Sequence, residues 1–282
     1  MAASSAALIV AFLLLAVVAG SLLAYASGAT RRRYRALVTA GLAEPAQPPA
    51  RSARTALPEP VLRYLDLSGA LHAPTVRSFR ASFTGRMRRG PDQPWFAIQA
   101  EQYDFLEPLT RLFYIRGRIF GVPVIGLDSY RAQAGSMDMR ALGIVRVGFG
   151  AGAEMASSAL VTLFNDLCIL APETLLDPRI DWTPVDALTA RATLRDGPLQ
   201  VSATLYFNPD GELVNFVTHD RFMGADGNYE RLPWSTPLSD YRDFGGLRIA
   251  SRGAASWRMG NEEFVYAEFV LDSLSYNPTP FH

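Results

Sequence analysis

DGPLQVSATLYFNPDGELVNFVTHD, Asp196 to Asp220, is the stretch that settles the class of fold. Leu199, Val201, Ala203, Leu205 and Phe207 alternate with Gln200, Ser202, Thr204 and Tyr206. That period of two belongs to a strand with one dry face. Asn208-Pro209-Asp210-Gly211 then supplies turn chemistry, and ELVNFVTHD returns as the partner strand. Asp196-Gly197-Pro198 marks the turn before it. Strands joined by such short turns form an antiparallel meander.

The same pattern extends in both directions. In TVRSFRASFTGRM, Phe79, Ala81, Phe83 and Met87 share one face, while Ser78, Arg80, Ser82, Thr84 and Arg86 share the other. Further strand-like runs are Trp95–Asp104, Arg111–Arg118, Ser129–Ala134, Leu142–Val147, Leu247–Trp257 and Phe264–Leu274. About nine or ten strands result, enough for a large curved sheet. Between Leu247 and the strand ending near Arg221 lies RLPWSTPLSDYRDFGGLRI, Arg231 to Ile249. Pro233 and Pro237 argue against a regular central strand, and Gly245-Gly246 supplies a turn. The stretch reads as a structural loop rimming a pocket, with Trp234 and Tyr241 capping the sheet edge beneath stacked arginines.

One segment breaks the period. From Ala153 to Ala171, apolar residues fall at Met155, Ala159, Leu160, Leu163, Phe164, Leu167 and Ala171, a helical spacing. Ser157, Ser158, Thr162, Asn165 and Asp166 take the other side, and Pro172 ends the helix. Asp166 near a helix C-terminus calls for an arginine partner or an exposed position. The expected fold is mainly β (α+β): a large curved antiparallel sheet, a half-barrel, wrapping an amphipathic helix on its concave face.

The N-terminus adds an attachment. Ala6 to Ala26 reads AALIVAFLLLAVVAGSLLAYA, long enough to span a bilayer as a helix. No basic residue precedes it and its apolar core is too long for a signal peptide, although Ala24-Tyr25-Ala26 has the form of a cleavage site. Residues 1–30 are therefore expected to be a single-pass membrane anchor, with the bilayer as partner through residues 6–26. Residues 31–60 form a basic juxtamembrane segment and a Pro/Ala-rich tether, and 61–282 the half-barrel domain. Arg31, Arg32, Arg33 and Arg35 place the body on the cytoplasmic side by the positive-inside rule.

Composition excludes several chemistries. The 27 basic residues balance 27 acidic ones, so no global field steers the chain toward nucleic acid. Every basic residue is arginine. A P-loop, a lysine Schiff base and a serine–lysine hydrolase are thereby ruled out. Cys168 stands alone in LCILA, which precludes an intrachain disulfide and a thiolate metal cluster. Gly148 to Ala153 fits a loose G-x-G-x-x-A, but no parallel β-α-β context follows, so a glycine hinge is the better reading. His72 and His282 lie in a loop and at the terminus; His219 and Asp220 are adjacent in a strand and point to opposite faces. Glu101 and Tyr103 share one strand face, Gln102 and Asp104 the other. No catalytic residue, metal site or cofactor is assigned.

The blocks PWFAIQAEQYDFLEPLTRLFYIRG, ALVTLFNDLCILAPETLLD, LYFNPDGELVNFVTHDRF and LPWSTPLSDYRDFGGLRI resemble an uncharacterised family of bacterial, often membrane-anchored proteins. The resemblance spans most of Pro58 to Asn277. In its order of elements the chain is also similar to the LolA- and LolB-like lipoprotein carriers, which implies a curved sheet around an apolar cavity. It departs from them in its membrane helix and in lacking a lipidation cysteine.

The expected function is a membrane-tethered binding module taking an apolar or amphiphilic, lipid-like ligand in the concavity. The ligand-binding candidates are Phe83, Phe113, Phe164, Asn165, Asp166, His219, Arg221, Trp234 and Tyr241. Two other readings stand beside it: an enzyme acting on a lipid-like or envelope substrate through residues assembled by folding, and a scaffold for another membrane protein.

Overall fold

The computed structural model describes residues 20–21, 24–44, 52–53, 57–225 and 227–279; the apolar run at 6–26 falls almost wholly outside them. Two helices come first, α1 (Ala29–Ala43) and α2 (Glu59–Leu67). A meander of six strands follows: β1 (Ser78–Met87), β2 (Phe96–Leu106), β3 (Leu109–Ile119), β4 (Val122–Arg131), β5 (Ala134–Ala141) and β6 (Val145–Ala151). Helix α3 (Ala153–Leu170) and a 3-10 turn (Pro172–Leu176) lead to β7 (Ile180–Asp186), β8 (Thr189–Asp196), β9 (Leu199–Phe207) and β10 (Leu213–Thr218). A small separate hairpin, β11 (Phe222–Ala225) and β12 (Asn228–Arg231), precedes β13 (Trp234–Phe244), β14 (Leu247–Met259) and β15 (Glu262–Tyr276).

All the main strands join one 13-stranded sheet in the order β6-β5-β4-β3-β2-β1-β15-β14-β13-β10-β9-β8-β7. Every ladder in it is antiparallel. The two meanders meet where β1 pairs with β15, so the chain's ends close the middle of the sheet rather than its edges. Helix α3 connects β6 at one edge to β7 at the other. A flat sheet of this size would be about 58 Å wide at about 4.8 Å per strand step. The 18 residues of α3 rise about 27 Å. With Pro172–Leu176 after it wound into a 3-10 turn rather than extended, the sheet curls around the helix, and it remains open.

Both faces of α3 are buried. Leu160, Leu163, Phe164 and Leu167 enter a core shared with α2 and the C-terminal strands, where Phe164 meets Phe216 edge-on at 5.6 Å. The helix is long and apolar enough to suit a membrane, but most of it is enclosed by the sheet. Gly152, at φ 98 and ψ −170, provides the sharp change from β6 into α3 that a side chain would resist. That is the hinge reading of the glycine cluster, and antiparallel neighbours remove the dinucleotide one.

Helix α1 lies on the opposite face of the sheet. Leu112 and Leu127 alternate with Arg111 and Asp128, which point toward α3. Tyr34 and Val38 pack on Tyr103, Phe105, Leu112 and Leu127, and the Tyr34 hydroxyl donates to Glu101 at 3.0 Å. The basic segment after residue 30 is thus, as far as Ala43, a helix docked flat on the convex face.

Three sequence readings are corrected. Ser129–Ala134 and Leu142–Val147 are not strands in themselves; each runs across or out of a tight hairpin turn. Ala132, Gln133 and Leu142 adopt φ of 49°, 62° and 54° there, without the Asn or Asp that usually signals such a turn. The presumed loop at Arg231–Ile249 contains β13, an 11-residue strand inside the sheet. Its prolines are accommodated because Pro233 precedes the strand and the β13–β14 register skips Thr236 and Pro237. On the other side of β14, the β14–β15 ladder shifts register between Ala255 and Ser256, where β15 carries the extra residue Tyr266.

Tyr34→Ala is expected to remove about 3 kcal/mol of stability and to expose the arginines of α1 to trypsin. Limited proteolysis of the full chain in detergent reads this directly; equal resistance in the variant would mean that α1 does not depend on its dock.

Candidate functional site

The concave face holds a cavity of about 170 Å³ over the seam between the two meanders. Its floor is a ring trio: Phe83 on β1, Phe113 on β3 and Phe269 on β15, with centroids 6.0–6.4 Å apart. Leu238 and Leu271 add aliphatic surface. Helix α3 supplies the roof through Thr162, Asn165, Asp166 and Ile169, positions that share one face at three- and four-residue spacing. β14 contributes small residues from Ala250 to Ala255, which leave the room unfilled.

Six of the residues singled out from sequence converge here: Phe83, Phe113, Asn165, Asp166, Arg221 and Trp234. Three do not. Phe164 points to the other side of α3 and is locked in the core. His219 is exposed on the outer face, beside Tyr206 and Glu263. One residue of register separates it from Thr218, which is buried, and that inverts its face. Tyr241 lies further along β13; its hydroxyl donates to the Leu213 carbonyl at 2.7 Å and Arg248 covers its ring at 5.7 Å. Trp234 and Tyr241 do carry stacked arginines, but on an interior strand rather than at a sheet edge.

Sequence reasoning missed the polar group at one end of the cavity. Arg111 donates from Nε to Asp166 at 2.6 Å and from Nη1 to Asp128 at 3.0 Å. Gln102 Nε2 donates to Asp166 at 2.9 Å and to Asp104 at 3.0 Å. The arginine partner that Asp166 required is Arg111, from the far side of the concavity. Two signals were available: Gln102 and Asp104 alternate onto one strand face, and Asp104 stands opposite Arg111 in the β2–β3 register. Glu101, on the other face, is paired with Arg80.

Three carboxyls around one guanidinium cannot all be ionised cheaply. Burial, then the neighbouring Asp166 charge, pushes the Asp104 carboxyl well above the usual range. Burial also raises Asp166, against the pull of Arg111 and of its hydrogen bonds. Burial disfavours the Arg111 charge, but Asp166, Asp128 and Asp104 outweigh it and hold the proton. Of the three carboxyls, Asp104 is the one whose charge burial and its neighbours oppose most strongly.

A half-barrel of antiparallel strands with a roofed, aromatic-floored cavity is the class of protein that the fold and the site define. Residues 48–269 match DUF6544, a family of unknown function, and the chain belongs to that family. No curated protein matches it. Among solved structures it is similar to a DUF1329 family protein from Desulfovibrio piger, at 13% identity over 77% of this chain and 93% of that one, with a TM-score of 0.40. A putative outer membrane lipoprotein-sorting protein domain from Vibrio parahaemolyticus matches at 9% identity over 77% and 91%, TM-score 0.41. A LolA superfamily protein from Nitrosomonas europaea matches at 11% identity over 77% and 93%, TM-score 0.38.

The sign of the pH response follows from Asp104. A carboxyl whose folded pKa is raised gives stability that is fully present below its unfolded value, about 4, and lost as pH rises through the folded one. Wild-type stability is therefore expected to decline through the neutral range, and Asp104→Asn to flatten the decline. Urea midpoints between about pH 5 and about pH 8 measure it; an unaltered slope in the variant would show that Asp104 is not the titrating group.

Proposed function

We infer that this chain is a binding module for an amphiphilic, lipid-like molecule, held to a membrane by residues 6–26 with its body on the cytoplasmic side. The observation that carries the reading is the cavity: apolar over the ring trio, polar at one end, and roofed by a helix rather than filled by side chains. Pockets of this composition orient a ligand with few polar anchors and retain it by apolar burial. Size narrows the class. Apolar cavities of about 150 Å³ take a benzene-sized molecule, so about 170 Å³ suits part of one alkyl or aryl tail, not a multi-chain lipid. The tether reading rests on the apolar run at 6–26 and on Arg31, Arg32, Arg33 and Arg35 after it.

Full-length protein purified in detergent and extracted with organic solvent is expected to release a single-chain amphiphile detectable by mass spectrometry. Leu238→Trp, which fills the cavity from its wall, should lower that occupancy several-fold while the thermal midpoint holds or rises. Wild-type protein that carries nothing and is not stabilised by added amphiphile would overturn the reading.

The membrane side can be tested separately, because the only native thiol, Cys168, is buried. Asp210→Cys, in the exposed turn between β9 and β10, is expected to react with a membrane-impermeant maleimide in right-side-out vesicles only after lysis. Labelling of intact vesicles would place the body on the opposite side.

A further inference from the structure

Arg221 and Asp128 stand on a wall common to the main cavity and to an adjoining one of about 190 Å³, together with Thr162 and Tyr266. Their polar atoms are not matched by the protein. The buried Nε and Nη1 of Arg221 have no protein hydrogen-bond partner, and neither does the buried Oδ1 of Asp128. The obvious counterions are committed elsewhere: Asp128 Oδ2 pairs with Arg111, and Asp220, next to Arg221 in sequence, pairs with Arg231. What holds the Arg221 guanidinium is aromatic, at 4.1 Å from the Trp234 ring centroid and 5.5 Å from that of Trp257. Ring faces attract a cation but accept no in-plane N–H hydrogen bond. The Trp234 indole is itself fixed, donating to the Tyr266 hydroxyl at 3.1 Å. An arginine so placed has a fixed position, an uncompensated charge and unmet donors at the edge of an apolar space, the combination in which an added anion gains most.

We propose that Arg221 is the headgroup site of the cavity, and that the ligand is an amphiphile whose polar end carries an anion, a carboxylate or a phosphate. This rests on the binding function proposed above and narrows its ligand class. The anion meets the Arg221 guanidinium in its own plane, where the unmet Nε and Nη1 donors point, rather than against the Trp234 ring that stacks on it. The tail then runs over Phe83, Phe113 and Phe269. Arg111 cannot play this role, since three aspartates already surround it.

The test uses full-length protein in a maltoside detergent and quenching of its tryptophan fluorescence by terminally brominated dodecyl probes. One probe bears a carboxylate, one a phosphate, one an alcohol and one a trimethylammonium. Both anionic probes are expected to bind at least about tenfold more tightly than the alcohol, as one charge-assisted hydrogen bond implies, and the trimethylammonium most weakly. Inorganic phosphate alone should not displace them; displacement by it at similar concentration would make this a free-anion site and overturn the amphiphile assignment. Arg221→Gln should bring the anionic probes down to the level of the alcohol while alcohol binding is retained, which also reports an intact fold. Arg221→Lys should keep part of the preference. Equal binding of all four probes to wild type, or a preference that survives Arg221→Gln, overturns the headgroup site and leaves the cavity function standing. Absence of binding by every probe overturns both.

Discussion

A helix about 27 Å long has to connect the two edges of a sheet that would be about 58 Å wide if flat. That mismatch shapes the molecule. Because Pro172–Leu176 is wound into a 3-10 turn rather than extended, the sheet meets the mismatch by curling, and once curled it encloses most of the helix. The two middle residues of the polar face then fasten opposite halves. Asp166 is held by Arg111 on β3, and Asn165 accepts a hydrogen bond from Thr236 on β13 at 2.6 Å. Two adjacent residues thus set the distance between the N-terminal and the C-terminal meander. The aspartate clasp is a costly way to do so, since removing one member of a buried charged group leaves the others uncompensated. Its geometry, though, fixes where the roof of the cavity sits.

The curl also explains the asymmetric packing. Helix α2 and the apolar face of α3 fill the C-terminal half of the concavity, where Tyr64 reaches the Cys168 carbonyl at 3.0 Å and packs on Phe207. Among the described residues, no second helix joins α3 in the N-terminal half. There α1 lies on the convex side, and the concave side is met by the polar face of α3. The far C-terminal strands are packed into a core, and the seam between the meanders is left as a chamber. The apolar floor and the polar end of the chamber come from alternate positions on the same strands, because a period of two can put Arg111 and Phe113 side by side on one face.

Legibility in the sequence follows from how local each signal is. The β9–β10 hairpin could be read because alternation and the Asn-Pro-Asp-Gly turn lie within one continuous stretch. The α3 helix could be read because its apolar spacing is uninterrupted. The turns at Ala132-Gln133 and Leu142-Gly143 could not, since cross-strand pairing rather than residue preference holds their positive φ values. Strand β13 could not either: a proline in an interior strand is acceptable only where the neighbouring ladder lapses, and that lapse appears only once β13 and β14 are paired. The site divides in the same manner. Asn165 and Asp166 were visible as polar positions on an apolar helix, whereas Arg111 became their partner only when the sheet curled. His219 was misplaced because the register shift between Leu213 and Asn215 inverts the alternation, so that Phe216 and Thr218 follow Leu213 to the inside and His219 faces out.

The cavity is a consequence of residue choice as well as of topology. Along the middle of the concave floor, β14 reads ASRGAAS from Ala250 to Ser256, a run of small side chains broken only by arginine. Arg252 turns outward to Asp240. Neighbouring strands put phenylalanine, leucine or tryptophan at comparable positions. A Cβ at Gly253 would already stand 3.3 Å from Cδ2 of Leu238, which lines the cavity beside it, so the wall is close-packed at that point. A fold selected only for stability would place larger residues on β14 and gain roughly 25 cal/mol for each Å² of apolar surface so buried. Keeping that strand small, roofing the gap with amide and carboxyl groups and stationing an unmatched guanidinium beside it each forgo stability, and together they leave a space that is apolar along its floor and polar at its margins.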